Sequence, residues 1–213
     1  MTADAQGRII VDLFTTLDGV AQAPGGPEED TEGGFAFGGW QAPLIDEIAG
    51  ASIAAGMAHM DALLLGRRTY DIFAGYWPHQ ITGPDSTIAL LFDRLPKYVA
   101  SRTDFAPEWN GTTRIGSDLA TEIADLRARH RFVHVIGSVD FVQTLLAEGL
   151  FDELTLWVHP ILLGAGKNVF QDAVAPANLR LLADPIVSRT GVVQLRYERL
   201  EGIPAVGDMS SRD

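Results

Sequence analysis

The chain is 213 residues long, 46% hydrophobic and 21% charged, which is enough apolar matter for one well-filled core and too little length for two ordinary enzyme domains. Its 28 acidic against 16 basic side chains leave a net charge of −12, a field that repels nucleic-acid backbones and anionic lipid heads, so no nucleic-acid or membrane partner is expected. The absence of cysteine rules out disulfides, Cys-ligated zinc, iron–sulfur clusters and thiol nucleophiles, and the charged residues around the first apolar stretch leave no export signal, so a cytoplasmic protein is predicted.

Arg8–Phe14 reads as a first strand, followed by a Gly-, Pro- and acid-rich loop over Ala23–Gly39 long enough to serve as a lid. Ala42–His59 reads as an Ala-rich helix and Asp61–Gly66 as a second strand built on the buried run Leu63-Leu64-Leu65. Helical spacing follows at Arg67–Phe73 and Pro84–Leu95, then an extended segment at Lys97–Ser101. Ser117–His130 is a helix that Ser117 or Asp118 can cap, and it leads into a strand at Phe132–Ile136. After Gly137-Ser138 a helix runs to about Glu148, with Phe141, Val142, Leu145 and Leu146 on its inner face. Glu153–His159, Leu179–Ala183 and Val192–Leu200 are strands with little helix between them. Strand–helix alternation implies parallel strands with crossover helices, and the strand-only spacing at the end implies antiparallel additions at one edge. The expected fold class is therefore α/β with a mixed, mostly parallel sheet flanked by helices and antiparallel C-terminal strands. It forms a single domain over residues 1–201, followed by a flexible tail over 202–213.

In an open parallel sheet, ligands bind beyond the carboxyl ends of the strands, where helix N-termini present free N–H groups. Two guanidinium groups and a hydroxyl follow the second strand in Gly66-Arg67-Arg68-Thr69, and Ser101-Arg102-Thr103 follows the Lys97 strand. Gly137-Ser138 opens the helix after Phe132–Ile136 with a backbone that a diphosphate can approach. Each signal alone is ordinary surface chemistry, but together at strand ends they point to a nucleotide with more than one phosphate. Neither G-x-G-x-x-G after the first strand nor G-x-x-x-x-G-K-[ST] is present, and Gly164-Ala165-Gly166-Lys167 reads as a turn.

In their order along the chain, Thr16-Leu17-Asp18-Gly19, Leu64-Leu65-Gly66-Arg67-Arg68-Thr69-Tyr70, Val99-Ala100-Ser101-Arg102-Thr103, Val135-Ile136-Gly137-Ser138 and Asp152-Glu153-Leu154 through Pro160-Ile161-Leu162-Leu163-Gly164-Ala165-Gly166-Lys167 form one set. That set resembles the dihydrofolate-reductase-like superfamily, and within it the riboflavin-biosynthesis reductase domain of the RibD C-terminal type, over about Arg8 to Leu200. The resemblance implies NADPH as hydride donor, a heterocyclic small-molecule substrate and a homodimer. It implies that Gly66, Arg67, Arg68 and Thr69 meet the cofactor phosphates, and that Ser101, Arg102 and Thr103 surround the 2′-phosphate that separates NADP from NAD. Ile136, Gly137, Ser138, Val139 and Asp140 match the turn under the pyrophosphate, and Asp18, Gly19, Val20 and Ala21 the loop beside the nicotinamide. Many relatives carry two or three glycines where this chain has Gly137-Ser138, which loosens the expected phosphate approach. The zinc deaminase of bifunctional relatives needs cysteine ligands that this chain lacks.

Hydride transfer to a C=N or C=O bond also needs a proton donor. Asp46, past Trp40 and Pro43, falls in the order of the helix acid of folate-reducing relatives, though it and Glu47 also suit a helix N-terminus. Asp18 is the second candidate, with a turn-shaping role as its alternative. Trp40 and Trp77 are candidates to stack on a flat substrate, against core packing as the other reading. The five histidines show no metal-binding spacing, so no metal is assigned. With Arg67, Arg68 and Arg102 given to the cofactor, no cation near the first loop is left for a ribitol-phosphate tail, which argues against the riboflavin-pathway substrate itself. The function expected is an NADPH-dependent reductase of a pterin, pyrimidine or related heterocycle, similar to 5-amino-6-(5-phosphoribosylamino)uracil reductase. The alternatives are a true dihydrofolate reductase or a non-catalytic NADP-binding module.

Overall fold

Nine strands join in one sheet in the computed structural model of the protein, which describes residues 6–170 and 174–208. In chain order the elements are β1 (Arg8–Thr16), α1 (Glu47–Met57), β2 (Ala62–Gly66), α2 (Arg67–Tyr76), α3 (Ser86–Arg94), β3 (Lys97–Ala100), β4 (Thr112–Ile115), α4 (Leu119–Arg129), β5 (Phe132–Val135), α5 (Val139–Glu148), β6 (Glu153–His159), β7 (Asn178–Leu181), β8 (Ile186–Val187) and β9 (Val193–Leu200). The strand order is β4-β3-β2-β5-β1-β6-β9-β7, with β8 also on β9. Pairing is parallel from β4 through β6 and antiparallel from β6 onward, as the strand spacing implies. The sheet and its helices span most of the residues expected to form one domain. Residues 202–208 of the expected tail are exposed and carry no regular structure, and 209–213 lie outside the described residues.

Period-two alternation sends the two faces of β1 and β5 into different surroundings. On one face Ile9, Val11, Leu13, Val133 and Val135 are sealed beneath Ile123 and Leu126 of α4 and Phe141, Val142 and Leu145 of α5. The opposite face holds two separate clusters. Leu63, Leu65 and Val99 pack with Tyr70 and Phe92 of α2 and α3, while Val20, Ala23, Phe35 and Trp40 pack with Phe14 beneath the long loop. On this face Asp12 and Phe14 of β1 and Ile136, just past the end of β5, are partly exposed.

Two departures from the expected elements have local causes. The predicted Ala42–His59 helix starts at Glu47, because Pro43 lies in a 3-10 turn over Ala42–Leu44 and Asp46 is extended (φ −106°, ψ −178°) as the N-cap. Strand β4 has no apolar run to announce it, since Thr112–Ile115 is a polar edge strand held by pairing with β3.

Candidate active site

Parallel pairing brings the carboxyl ends of β3, β2, β5 and β1 to one edge in that order. Ser101–Thr103, Gly66–Thr69, Ile136–Asp140 and Asp18–Ala21 consequently stand side by side, and three strand spacings set the outer two about 14 Å apart. At its centre the Gly66 N–H donates to the Gly137 carbonyl at 2.8 Å. A Cβ on Gly66 would lie 2.7 Å from the Ser138 nitrogen, and one on Gly137 would lie 2.7 Å from Thr69 Oγ1. Gly137 also adopts φ +144°, so this approach of the α2 and α5 starts tolerates no side chain at either position. The Gly137–Ser138 peptide is cis.

The helix starts differ in how their N–H groups are used. Asp46 caps α1 and Asp118 caps α4, whereas α2 and α5 open at Gly66 and Ser138 with no side-chain cap. α3 is also uncapped but follows a loop rather than a strand end. Two unsatisfied helix N-termini thus meet at one point of the rim, a donor set that fits a diphosphate. Beside them Ser101 Oγ donates to the Thr103 carbonyl at 2.7 Å and fixes the 101–103 turn, which Arg114 Nε also bonds at 3.1 Å. Arg102 is exposed and makes no ion pair among the described residues. Sequence reasoning missed Arg114, because β4 itself was unrecognised.

The two expected phosphate arginines have partners within the chain. Arg67 pairs with Asp71 at 2.8 Å and lies over the Phe105 ring, 4.1 Å from its centroid. Arg68 pairs with Glu32 and, at 3.3 Å, with Asp30, while Lys167 reaches Asp30 at 2.5 Å and Glu32 at 2.6 Å. These four charges latch the long loop to the start of α2 and to the 164–167 turn. The bond to Glu32 raises the Arg68 guanidinium above its ordinary value; burial opposes ionisation of Asp30, but the Lys167 bond holds it below the usual range.

Both expected acids accept hydrogen bonds from the backbone around them. Asp18 accepts from Thr16 Oγ1 at 2.5 Å and from the Gly164 N–H at 2.7 Å, and those bonds keep its carboxyl below the usual range. Asp46 accepts from the Ala49 N–H at 2.9 Å and the Arg189 N–H at 2.6 Å, again lowering it. Both geometries are those of a carboxylate fixing backbone. Gly19, Val20 and Ala21 run beside the 167–169 segment through the Val20–Asn168 bridge and the Ala21 N–H bond to Lys167 O. The aromatic expectations also meet different surroundings. Trp40 is 7% exposed, donates from Nε1 to Gln22 O at 2.8 Å and packs edge-on to His159, so it is a core residue rather than an open stacking platform. Trp77 follows the last turn of α2, a ten-residue helix and therefore about 15 Å from the rim, packed on Phe73 and Phe92.

The face of β1 and β5 opposite α4 and α5 carries a nearly buried pair that the sequence did not single out. Asp12 on β1 and His134 on β5 point to the same face, and Asp12 Oδ2 meets His134 Nδ1. Both interrupt otherwise apolar runs, Ile9–Leu13 and Val133–Val135, and a polar residue inside a buried strand was the signal available. Among the described residues, His134 Nε2, Trp157 Nε1 and His159 Nε2 are buried without a hydrogen-bond partner, all on this face. Burial lowers the His159 imidazole, although its bonds to the Thr15 and Trp157 carbonyls oppose this. Among the described residues no group of three or more His, Asp or Glu is placed to hold a metal ion, and no helix is long and apolar enough to cross a membrane.

Comparison with known proteins agrees with this architecture. The sequence matches the family model described as the RibD C-terminal domain over residues 8–188. YyaP, an uncharacterized protein of Bacillus subtilis (strain 168), is 30% identical over 199 residues, covering 90% of this chain and 95% of that one. A putative riboflavin biosynthesis protein from Shewanella sp. PV-4 superposes with a TM-score of 0.67 at 24% identity, covering 91% of this chain and 99% of that one. The dihydrofolate reductase of Enterococcus faecalis, solved as a complex with NADP(H), superposes with a TM-score of 0.57 at 14% identity over 92% of this chain and 98% of that one. The fold is dihydrofolate-reductase-like.

Proposed function

The chain belongs to the RibD C-terminal domain family, and from that premise we propose that it is an NADPH-dependent reductase of a pterin, pyrimidine or related flat heterocycle. The observation that carries this reading is the meeting of two uncapped helix N-termini, at Gly66 and Ser138, joined by the Gly66–Gly137 bond and beside the Ser101–Thr103 turn. NADPH, when bound, supplies the hydride. The N–H groups opening α2 and α5 would hold its diphosphate, with Thr69, Ser138, Val139 and Asp140 at their starts. Ser101, Arg102, Thr103 and Arg114 would hold the 2′-phosphate, and Asp18–Ala21 would flank the nicotinamide. Arg68 reaches a phosphate only by leaving Asp30 and Glu32, so Arg67 and Arg102 are the first cations available. The heterocycle would lie next to the nicotinamide, where the surrounding protein excludes water from it. The active form we assign is a cytoplasmic homodimer.

NADPH binding read by energy transfer from tryptophan, and NADPH oxidation across a panel of pterins and aminopyrimidines, test the reading. Binding with turnover of at least one heterocycle is expected, and Arg102→Ala is expected to weaken NADPH roughly 10-fold or more while leaving NADH nearly unchanged. No binding at millimolar NADPH would overturn the proposal, and binding without turnover across the panel would leave only a nucleotide-holding module.

A further inference from the structure

We propose that Asp30 and Glu32 are built-in competitors of the cofactor's diphosphate: they occupy the Arg68 guanidinium, which the dinucleotide has to take from them. The long loop thereby inhibits the site it overlies. The inference rests on the reductase reading above and concerns how that same site is regulated.

The placement of the charges carries the proposal. Arg68 stands in the first turn of α2, beside the uncapped start at Gly66, and its Nη1 bonds Glu32 and, at 3.3 Å, Asp30. The same two carboxylates hold Lys167, at 2.5 Å and 2.6 Å. Lys167 belongs to the other flank of the site, where its carbonyl accepts from the Ala21 N–H at 3.0 Å. Since β5 lies between β2 and β1, carboxylates that reach both cations stand between the flanks on either side of the Gly137–Ser138 turn. Asp140, in the first turn of α5, adds a further negative charge to the surroundings of Arg68. An anion drawn to the two helix starts therefore meets a guanidinium that is already neutralised.

The competing acids are held in position by the loop's own backbone. Gln22, 3% exposed, donates from Nε2 to the Asp30 and Glu32 carbonyls, both at 3.0 Å, and Asp30 Oδ1 accepts the Glu32 N–H at 3.1 Å. With the backbone fixed in this way, little further entropy is lost when the carboxylates engage Arg68, so they compete as a preorganised anion. Displacing them needs no unfolding. The Arg68 and Glu32 side chains are 43% and 53% exposed, which keeps their attraction in the weak range of surface pairs. A cavity of about 370 Å3, lined by Glu32 with Gly33, Gly34, Phe37 and Gly166, leaves the Glu32 side chain space to swing off Arg68. A diphosphate gains the N–H groups of both helix starts as well as the guanidinium, so it displaces the carboxylates, at a cost to its affinity.

The test is the Kd for NADPH, read by energy transfer from tryptophan in the full-length chain. Four proteins are compared: the parent, Asp30→Asn with Glu32→Gln, Arg68→Ala, and all three changes together. The paired neutral variant is expected to bind NADPH about threefold or more tighter than the parent, and that gain is expected to vanish once Arg68 is also replaced. Circular dichroism reports that each variant is folded, and Glu32→Gln alone, at a half-exposed position, should shift the Kd in the same direction if the paired variant is not. A smaller gain, or a loss, overturns the proposal. So does a gain that survives in the Arg68→Ala background, because it then comes from the general loss of negative charge and not from a freed guanidinium. Either result leaves the reductase reading standing, whereas failure of the parent to bind NADPH overturns both.

Discussion

Lys97 is fully buried at the start of β3, where its Nζ donates to the Leu95 carbonyl at 2.7 Å and the Asp93 carbonyl at 3.0 Å and lies 4.5 Å from the Trp109 ring centroid. It ties off the end of α3, whose last carbonyls have no intrahelical donor. Burial lowers its ammonium from 10.5 to about 8, so between those values the unfolded chain binds the extra proton and the native one does not. Stability contributed by this residue therefore rises as pH climbs from about 8 toward 10.5. Urea midpoints of the parent should gain on those of Lys97→Met across that range, and a constant gap would show that Lys97 titrates normally. Lys97 looks like ordinary surface in the sequence because its burial depends on Trp109 and Gly111, which a one-dimensional pattern does not bring to it. Asp12 and His134 were hidden differently. Each could be seen as a polar residue in an apolar strand, but only the parallel β1–β5 register makes them neighbours.

At the scale of elements, the apolar runs of β1, β2, β5 and β6 and the spacing of α4 and α5 were readable because local pattern and burial agree there. Strand β4 and the break before α1 were not, since one depends on a neighbour's edge and the other on a cap competing with an Ala-rich run. That the segments of the candidate site follow neighbouring strand ends was legible for the same reason as the strands themselves. The loop over residues 23–39 read as a lid in composition, but its attachment through Asp30 and Glu32 to Arg68 and Lys167 joins residues far apart in sequence. Opposite charges at these distances are weakened by salt where they are exposed. Replacing Asp30 by Asn and Glu32 by Gln together should speed amide exchange over residues 22–41 at least 10-fold, with β1 and β5 unaffected. Because Asp30 is held below its ordinary 3.8, the stability it gives is complete above that value and is lost as pH falls through the lower native one, so acid should loosen the same segment. Equal exchange in parent and variant would mean that packing of Phe35 and Trp40 alone holds the loop.

For the whole molecule, the sheet ends at β7 and β8 with Leu179, Leu181, Ile186 and Val187 all at least 40% exposed, an apolar edge of the kind that invites pairing. Light scattering of the purified protein should give twice the mass of the chain, and Leu181→Lys with Val187→Lys should halve it; a parent already at one chain's mass would refute the homodimer. The rest of the assembly is organised by the difference between the two faces of β1 and β5. Residues that alternate along the same few strands pack differently, those toward α4 and α5 into one continuous core and those on the other face into two smaller clusters. A change at Val11 or Val133 should cost folding and spare selectivity, while a change at Asp12, Phe14 or Ile136 should retune what is accepted with little loss of cohesion. Such a division lets a lineage trade one substrate for another without rebuilding its scaffold, since every second side chain is free to vary against a fixed partner.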